Sequence, residues 1–536
     1  MEAKSEIRDE PPTPLHRGRT VGIVTILTLV VSGFGYIREA VLAGHFGVSA
    51  TMDAYFGAIF VPSNIYLILV VGTLSPVFIP LILQSDGAHD PARLSEIVSV
   101  VANFVFVVLV GFVSVGLLTI RYWLPVLFPG FDVATIAMAT QLTYIILPAV
   151  VFLGLAGIIT AVLNAFHRFA LPALAPALCS IVVIAAVLMA HGKRAIVVVG
   201  LATTVGFLLQ FLALLPAVVA LRIRYVPVFN FRHPAIAKLL RLGGPLLLYL
   251  VVCSASSVVE RNLASRLSTG AVSAVTYAIR LFAVPSNFLA APLALVSYPL
   301  FAREAAREDH GDLRDQLSRS LRFVIFLFVP VTLWVILNAL PLTRVVYERG
   351  HFRPEDSFVI AKILSLYAIG ILPNAVGIVL LRCFYALQDT ITPLVLELIN
   401  LVVYTALATW LTNHFGIGGL AVTRGLSFFV VAFIFVFVLR YKRAVLTIDR
   451  DMLSLFFKTA TASLAMSIVS WRTAHLLQEV FNAGSTPLRL LVVGVVLVAS
   501  AVTFLGTASL LKLGEAKSLI NLGLALIPGY RESDLG

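Results

Sequence analysis

The stretch REAVLAGHFGVSATMDAYFGAIFVPSN at residues 38–64 returns in outline as RNLASRLSTGAVSAVTYAIRLFAVPSN at residues 261–287. Both stretches contain an arginine, a glycine and a Pro-Ser-Asn triplet at positions displaced by 223 residues, and a later proline and phenylalanine keep that displacement. The matched pairs are Arg38 and Arg261, Gly47 and Gly270, Pro62 and Pro285, Ser63 and Ser286, Asn64 and Asn287, Pro76 and Pro299, Phe78 and Phe301, and then, displaced by 221, Ala165 and Ala386, Pro172 and Pro393. A nearly constant displacement over about 130 residues indicates an internal duplication.

The composition is that of a membrane protein. Hydrophobic residues make up 60% of the 536 residues and charged residues 12%, and the mean hydropathy is +0.99. These values exclude an ordinary soluble globular protein. Since each crossing of a bilayer takes about 20 apolar residues, the apolar runs predict about fourteen transmembrane helices. They are expected to begin near Thr20, Asp53, Ser95, Asp132, Pro172, Ala195, His233, Ala271, Leu313, Glu355, Thr392, Ile417, Met452 and Pro487.

The duplication sets the expected architecture. The repeat length covers six predicted helices, and an even number of helices preserves membrane orientation between copies. We therefore expect an all-α polytopic membrane protein with two parallel six-helix lobes related by a pseudo-twofold axis, the arrangement of a transporter with a cleft between its lobes. The predicted ranges are a tail at 1–19, lobes at 20–224 and 225–443, two further helices at 444–514, and a second tail at 515–536.

The charge distribution predicts orientation. The chain carries 39 Lys and Arg against 27 Asp and Glu, a net charge of +12. In a membrane protein this excess indicates cytoplasmic loops beside an anionic leaflet, rather than nucleic-acid binding. With this segmentation, the side that holds both tails carries about 23 Lys and Arg, and the opposite side about 9. Both termini are therefore expected to be cytoplasmic.

Charged residues inside the predicted helices are candidate site residues, because a charge near the middle of a bilayer costs about 2.5 to 3.5 kcal/mol on insertion scales. Arg280 lies deep in its helix and is expected to line a wet cavity. Arg38 either lines the cavity or extends to the interface beside Glu39, and Asp53 either contributes to the site or caps the second helix.

Other intramembrane charges are expected to pair with a partner or to anchor at the membrane interface. Glu260 and Arg261 are adjacent, which points them about 100° apart on a helix, so they should not pair only with each other. Lys362, Arg382, Arg424 and Lys458 are expected to anchor at the membrane interface, and Glu397 to partner a cation or carry a coupling ion.

The repeated Pro-Ser-Asn triplets are expected to bend their helices. Proline removes a backbone hydrogen bond inside a helix, and neighbouring Ser and Asn side chains can satisfy the freed carbonyls. Pro62, Asn64, Pro285 and Asn287 are therefore predicted to shape the cleft and to serve as hinges.

The sequence contains neither a phosphate-binding loop nor an H-E-x-x-H pair, and its three cysteines, Cys179, Cys253 and Cys383, have no metal-ligand spacing. We expect a transporter rather than an enzyme, without a cofactor or metal.

Several of these stretches resemble the MurJ/MviN family of lipid II flippases, in the multidrug/oligosaccharidyl-lipid/polysaccharide exporter superfamily. They are GFGYIREAVLAGHFGVSATMDAYFGAIFVPSN, GTLSPVFIPLI, LNAFHRFALPALAP, VERNLASRLSTGAVSAVTYAIRLFAVPSN and FYALQDTITPL. The resemblance implies fourteen helices, a cationic cavity between two lobes, and a last helix pair that forms a groove for a lipid tail. It carries over site roles to Arg38, Asp53 and Arg280, and Arg261 is our own addition as a substitute cation. The sequence departs from the family pattern at Ser32, Tyr66 and Val71, where the resemblance implies charged residues.

The resemblance implies a flippase that moves lipid II, a polyprenyl-diphosphate-linked saccharide, across a bacterial inner membrane by alternating access for cell-wall synthesis. The alternatives are a flippase for another lipid-linked oligosaccharide, of the exopolysaccharide or O-antigen type, a cation-coupled multidrug exporter, and a membrane glycosyltransferase. The expected partners are the lipid-linked glycan, the bilayer and cell-wall synthesis proteins, with no nucleic acid, and the chain is expected to be monomeric.

Overall fold

The computed structural model of the chain describes residues 14–68, 78, 82, 91–192, 194–307, 311–447, 449–481 and 486–525. Within these ranges every regular element is a helix. The outer parts of both predicted tails, at 1–13 and 526–536, lie outside the described residues, as do Val71 and Pro76.

The helices of the first half are mostly apolar and range from 5 to 33 residues. They are α1 Pro14–Phe46, α2 Ala50–Tyr66, α3 Pro91–Leu118, α4 Ile120–Leu127, α5 Val133–Ile146, α6 Ala149–Ala165, α7 Ala170–Leu174, α8 Pro176–Met189 and α9 Ala195–Val219.

Among the described residues, the second half contains ten α-helices and two π-helical turns, and the last three α-helices follow the duplicated part. It contains α10 Pro234–Ser265, α11 Ala271–Pro285, a π-helical turn Ser286–Ala290, α12 Ala291–Ala305, α13 Gly311–Tyr347, α14 Pro354–Ala368, α15 Ile371–Ala386, α16 Ile391–Phe437, a π-helical turn Val438–Lys442, α17 Arg450–Phe481, α18 Thr486–Leu510 and α19 Gly514–Ala525.

Ten helical segments of the described chain are long and apolar enough to cross a membrane, and twelve spans result if each of two bent pairs, α5 with α6 and α14 with α15, is one span. The expectation of an all-helical polytopic protein is confirmed. The predicted eleventh and twelfth helices correspond to the two parts of α16, which are separate helices that meet at a kink at Gly416, where the backbone has φ 58° and ψ −138°. The predicted second helix falls on α2.

The contacts divide the chain into two compact units. Unit 1 comprises the residues up to Leu42, then Ala54–Leu124 and Val133–Val251, and unit 2 comprises Ala43–Asp53, Pro125–Asp132 and the residues from Val252 onward. Two short segments of the first half of the sequence therefore pack within unit 2. The predicted lobe boundaries stay a prediction.

The core of unit 1 lies where α3 packs on α6, through residues such as Val101, Leu109 and Val162. A polar stripe on α3 at helical spacing also holds the connection that follows α9. The Ser95 and Ser99 hydroxyls accept the N–H groups of Arg224 and Val226, at 3.0 and 2.9 Å. Because the stripe is buried, these bonds supply partners to backbone groups that water cannot reach.

The core of unit 2 includes the helices that follow the duplication. Phe326 of α13 packs against Met466 of α17 and Phe504 of α18, and Ala516 of α19 joins the same cluster. A buried hydrogen bond from the Asn338 amide to the Ser470 hydroxyl, at 3.0 Å, links α13 to α17. These contacts make α17 and α18 an integral part of unit 2.

The backbone itself carries the duplication. Left-handed residues recur at displacements of 221 to 224 residues, and the pairs are Gly47 and Gly270, His167 and Gln388, Gly192 and Gly416, and Arg222 and Ala444. The turns after α6 and α15 also share a hydrogen bond, from Arg168 N–H to the Leu163 carbonyl at 2.8 Å and from Asp389 N–H to the Phe384 carbonyl at 2.9 Å. Non-glycine residues with positive φ are uncommon, so their recurrence supports the repeat inferred from sequence.

Candidate substrate site

Asp53 fixes the start of α11. Its Oδ2 accepts the Gly270 N–H at 2.6 Å and its Oδ1 accepts the Ser273 N–H at 2.7 Å, and the residue is 2% exposed. The first N–H groups of a helix lack partners within the helix, and their partial positive charge stabilises a carboxylate. Asp53 therefore caps α11, whereas the second helix begins with Ser49, whose hydroxyl accepts the Met52 N–H at 3.3 Å.

Arg261, near the end of α10, is bonded to the face of α11 that carries Arg280. Its guanidinium donates to the Val272 carbonyl at 3.1 Å and to the Thr276 hydroxyl. Val272, Thr276 and Arg280 are spaced four residues apart, so they share one face of the helix. Arg261 is thus bonded to Thr276, which precedes Arg280 by about one helical turn, a rise of roughly 6 Å.

Arg280 is an exposed cation on a mostly buried helix. Residues 271–278 of α11 are all buried, and so are Leu281 and Phe282, whereas Arg280 is exposed. Arg261 interacts electrostatically with both Arg280 and Asp53. Within unit 2, the structure therefore brings together three of the four predicted site residues.

A buried ion pair adjoins these residues. Glu260, 1% exposed, receives the Arg424 guanidinium on Oε2 at 2.6 Å and the Tyr367 hydroxyl on Oε1 at 2.6 Å. Arg424 of α16 also lies over the Tyr404 ring, 5.0 Å from its centroid. Glu260 and Arg261 engage different partners, as their angular separation predicts. We call Arg261, Arg280 and Arg424 the arginine cluster.

Arg38 belongs to unit 1 and has its own setting. Its guanidinium donates to Glu39 at 2.9 Å, and the two side chains are 17% and 4% exposed. Arg38 lies within electrostatic range of Tyr55 and Cys179, and the Tyr55 hydroxyl is 3.1 Å from the Thr203 hydroxyl. The predicted pairing with Glu39 is present, and it leaves Arg38 largely buried.

The Pro-Ser-Asn triplets fall where the helices change form. Pro62 lies inside α2, whose Asn64 amide donates to the Phe60 carbonyl at 2.9 Å. Pro285 ends α11 and a π-helical turn follows, in which the Ser286 hydroxyl accepts the Asn374 amide at 2.8 Å. Asn287 is exposed and donates to no carbonyl among the described residues.

Sequence analysis missed the role of Arg424. The expectation of an interface anchor was wrong, because Arg424 lies within α16 with its side chain 16% exposed and bound to a buried carboxylate. The available signal was the isolation of Glu260 in an apolar span, since a buried acid requires a partner. The partner stands 164 residues away, and no local pattern connects the two.

The cluster suits binding of an anion rather than bond-breaking chemistry. Guanidinium groups grip phosphate oxygens through paired N–H donors. In the part of the chain that the structure describes, no group of three or more His, Cys, Asp or Glu residues could hold a metal ion.

The apolar spans, the repeated units and the intramembrane arginines define a polytopic helical membrane transporter. The family description "Lipid II flippase MurJ" matches residues 42–492. The chain belongs to the MurJ family of lipid II flippases, which are transporters and not enzymes.

Curated relatives are distant but cover most of the chain. The lipid II flippase MurJ of Burkholderia cenocepacia is 29% identical over 410 residues, 72% of this chain and 77% of that protein. A protein of Synechocystis sp. described as "Probable lipid II flippase MurJ" is 28% identical over 491 residues, 87% of this chain and 89% of that protein.

Solved structures share the fold. A lipid II flippase MurJ in an inward closed conformation matches with a TM-score of 0.77 at 21% identity, over 93% of this chain and 99% of that one. An inward-facing multidrug resistance transporter of the MATE family matches with a TM-score of 0.65 at 15% identity, over 78% and 98%. At these identities the likeness concerns the fold alone.

Proposed function

We propose that this chain translocates lipid II, a polyprenyl-diphosphate-linked saccharide, from the inner to the outer leaflet of a bacterial cytoplasmic membrane by alternating access. Membership of the MurJ family supports the substrate class. The observation that carries the proposal is that Arg261 of α10 is hydrogen-bonded to the face of α11 that carries Arg280.

The diphosphate is the part of the substrate that such a site recognises. Moving a charged, hydrated group through hydrocarbon is costly, and a wet path lined by cations lowers that cost. Two guanidinium groups on one helix face, with their attachment points about one turn apart, offer a divalent anion two sets of donors. In this proposal Arg280 and Arg261 hold the diphosphate, and Asp53 holds the helix that carries Arg280. Arg38, in unit 1, is proposed as a separate substrate-binding residue.

Two contacts within unit 2 are proposed to keep the substrate path closed on one side of the membrane during alternating access. The segment Ala43–Asp53 packs on the turn between α13 and α14, where the His351 N–H donates to the Gly44 carbonyl at 2.8 Å. The second docked segment, Pro125–Asp132, receives the Asn262 amide on its Val126 carbonyl at 2.8 Å. The proposed topology places both contacts on the outer side of the membrane, where they must open to release substrate.

The remaining parts of the proposal concern the ends of the chain. The helix pair α17–α18 receives the isoprenoid tail, both termini lie in the cytoplasm, and the monomer meets cell-wall synthesis proteins through its basic loops. The excess of Lys and Arg on the side with both tails supports this orientation.

Reconstituted vesicles test the transport proposal. Proteoliposomes containing fluorescently labelled lipid II are treated with an impermeant quencher, which reports how much lipid crosses the bilayer. The native chain should equilibrate lipid II between leaflets, and Arg280→Ala should slow this by about tenfold or more. Arg440→Ala serves as the matched control, since Arg440 is an exposed arginine whose guanidinium lies 5.4 Å from the Tyr441 ring centroid. Native protein that moves another polyprenyl-diphosphate glycan but not lipid II would contradict the substrate assignment.

A disulfide tests the closure. A Cβ built at Gly44 lies 2.7 Å from the Arg349 Cγ, which suits a disulfide between Gly44→Cys and Arg349→Cys. The three native cysteines are first replaced by alanine. Oxidation should stop lipid II transport, a reducing agent should restore it, and each single-cysteine variant should be insensitive. Full transport by the cross-linked protein would refute opening at this contact.

A further inference from the structure

The Glu260–Arg424 pair stands beside the proposed diphosphate site with part of its guanidinium available. Glu260 uses Oε2 for Arg424 and Oε1 for Tyr367. Among the described residues, Arg424 donates only through Nη2, to Glu260 at 2.6 Å and to the Ser257 hydroxyl at 3.4 Å. A guanidinium has five N–H donors in a planar fork, so the Nε and Nη1 edge of Arg424 can still receive an anion.

Arg424 is also connected to the rest of the arginine cluster. Arg261 follows Glu260 directly in the chain, and it interacts electrostatically with both Arg424 and Arg280. The three guanidinium groups come from α10, α11 and α16. Arg280 is exposed, Arg261 is half-buried, and the Arg424 side chain is 16% exposed.

Two carboxylates, Glu260 and Glu397, partly neutralise the charge of Arg424. Glu260 is bound to Arg424, and Glu397, which accepts the Asn400 amide at 3.2 Å, lies within electrostatic range of Arg424 as well. A buried carboxylate competes with any anionic ligand for the same guanidinium. Transport requires binding that is strong enough for entry and weak enough for release, and such competition provides that balance.

We propose that Arg424 is a further substrate-binding residue that contacts the diphosphate through its Nε and Nη1 edge, and that Glu260 acts as a built-in competitor that keeps this binding weak. The inference rests on the proposed function, because it assigns two more residues to the same site. Glu260 is a positioning residue in this account, since it acts on substrate through Arg424.

The probe is inorganic pyrophosphate titrated into the detergent-purified full chain, followed by calorimetry at fixed ionic strength. Arg424→Ala should weaken binding about tenfold through loss of a charge-assisted contact, whereas Glu260→Gln should tighten it several-fold by removing the competing charge. The glutamine oxygen can still accept from Arg424, and its amide N–H can donate to the Tyr367 hydroxyl oxygen. Glu260→Gln should also slow lipid II transport in vesicles, because release becomes slower. Arg440→Ala should stay within about twofold of the native chain.

A purely structural pair predicts a different pattern. Both Arg424→Ala and Glu260→Gln would then lower thermal stability, and neither would tighten pyrophosphate binding, which overturns the inference. If Glu260→Gln fails to fold, Arg424→Lys replaces it in the test. The lysine keeps a cation for Glu260 but lacks the planar set of guanidinium donors, so pyrophosphate binding should weaken while the unfolding temperature stays the same. Unchanged binding in Arg424→Lys also overturns it.

Arg280→Ala separates the two proposals. If Arg280→Ala weakens pyrophosphate binding and the Arg424 and Glu260 variants bind like the native chain, the proposed diphosphate site is supported and the roles of Arg424 and Glu260 are rejected. If the native chain neither binds pyrophosphate nor moves lipid II, the proposed function itself fails.

Discussion

At the scale of single residues, the charged side chains inside the membrane divide into those that build the site and those that face it. Asp53 belongs to the first group, because both of its carboxylate oxygens accept backbone N–H groups of α11. Arg280 is exposed on that same helix. Asp53 therefore acts on the site by fixing the helix that presents Arg280.

The cap gives a stability prediction. Asp53→Ala removes two charge-assisted acceptors from a buried helix start, so unfolding in detergent should cost about 2 kcal/mol less. Asp53→Asn keeps one acceptor oxygen and should lose less. Thermal unfolding of the purified variants measures the difference. An Asp53→Ala chain that is as stable as the native chain but no longer binds pyrophosphate would instead make Asp53 a direct binding residue.

Asp389, in the turn between α15 and α16, gives a prediction about pH. Burial raises the pKa of this carboxyl, but hydrogen bonds from the Thr392 N–H and hydroxyl and from Arg443 outweigh burial and hold the pKa below its ordinary value. A carboxyl with a lower pKa in the folded state stabilises the fold above its unfolded pKa, about 3.9, and loses that effect as the pH falls through the folded value.

Thermal unfolding of the native chain and Asp389→Asn over a series of pH values checks this. The native chain should be more stable by a constant amount from about pH 7 to pH 5, and the difference should shrink below about pH 4. A difference that disappears already near neutral pH would contradict the assigned direction of the pKa shift.

At the scale of elements, the turn between α13 and α14 fits the end of α1 with little free space. Gly350 has φ 59°, and a Cβ at this position would lie 2.2 Å from the Gly44 carbonyl oxygen. A Cβ at Gly47 would lie 2.8 Å from the His351 carbonyl oxygen. The close approach of the two backbones therefore depends on glycine at both sides.

Alanine at Gly350 should disturb this contact. Strain at positive φ and the overlap with Gly44 together should destabilise the folded chain by about 2 kcal/mol or more. Gly192→Ala is the matched control, since Gly192 has φ 79° but nothing within 4 Å of the added Cβ. Both are compared by thermal unfolding in detergent. Equal losses in the two variants would show that backbone strain alone accounts for the effect, and that the contact adds nothing.

At the scale of the whole molecule, the sequence predicted what depends on local pattern. Long apolar runs located the helices, and the repeated positions from Arg38 and Arg261 onward indicated a duplication that now reappears as paired left-handed residues. The fold class follows from these two signals, because a bilayer permits only helices or closed barrels and the runs have helical length.

The sequence could not predict contacts between distant segments. Asp53 caps a helix that begins 217 residues later, and Arg424 pairs with Glu260 across 164 residues. Nothing in the spacing of either residue specifies its partner, because tertiary packing selects among several buried cations and helix ends. The break at Gly416, by contrast, was predictable, because the sequence places the start of a separate helix at Ile417 and the structure bends there at a left-handed glycine.

Complementation tests the central claim, lipid II transport through the arginine site, most directly. Cells depleted of their own lipid II flippase are supplied with the native chain, Arg280→Ala, Arg38→Ala or Arg440→Ala at matched levels of membrane expression. Growth and cell shape should recover with the native chain and with Arg440→Ala, and fail with the other two variants. Failure of the native, correctly inserted chain to restore growth, or full recovery with Arg280→Ala, would contradict the account.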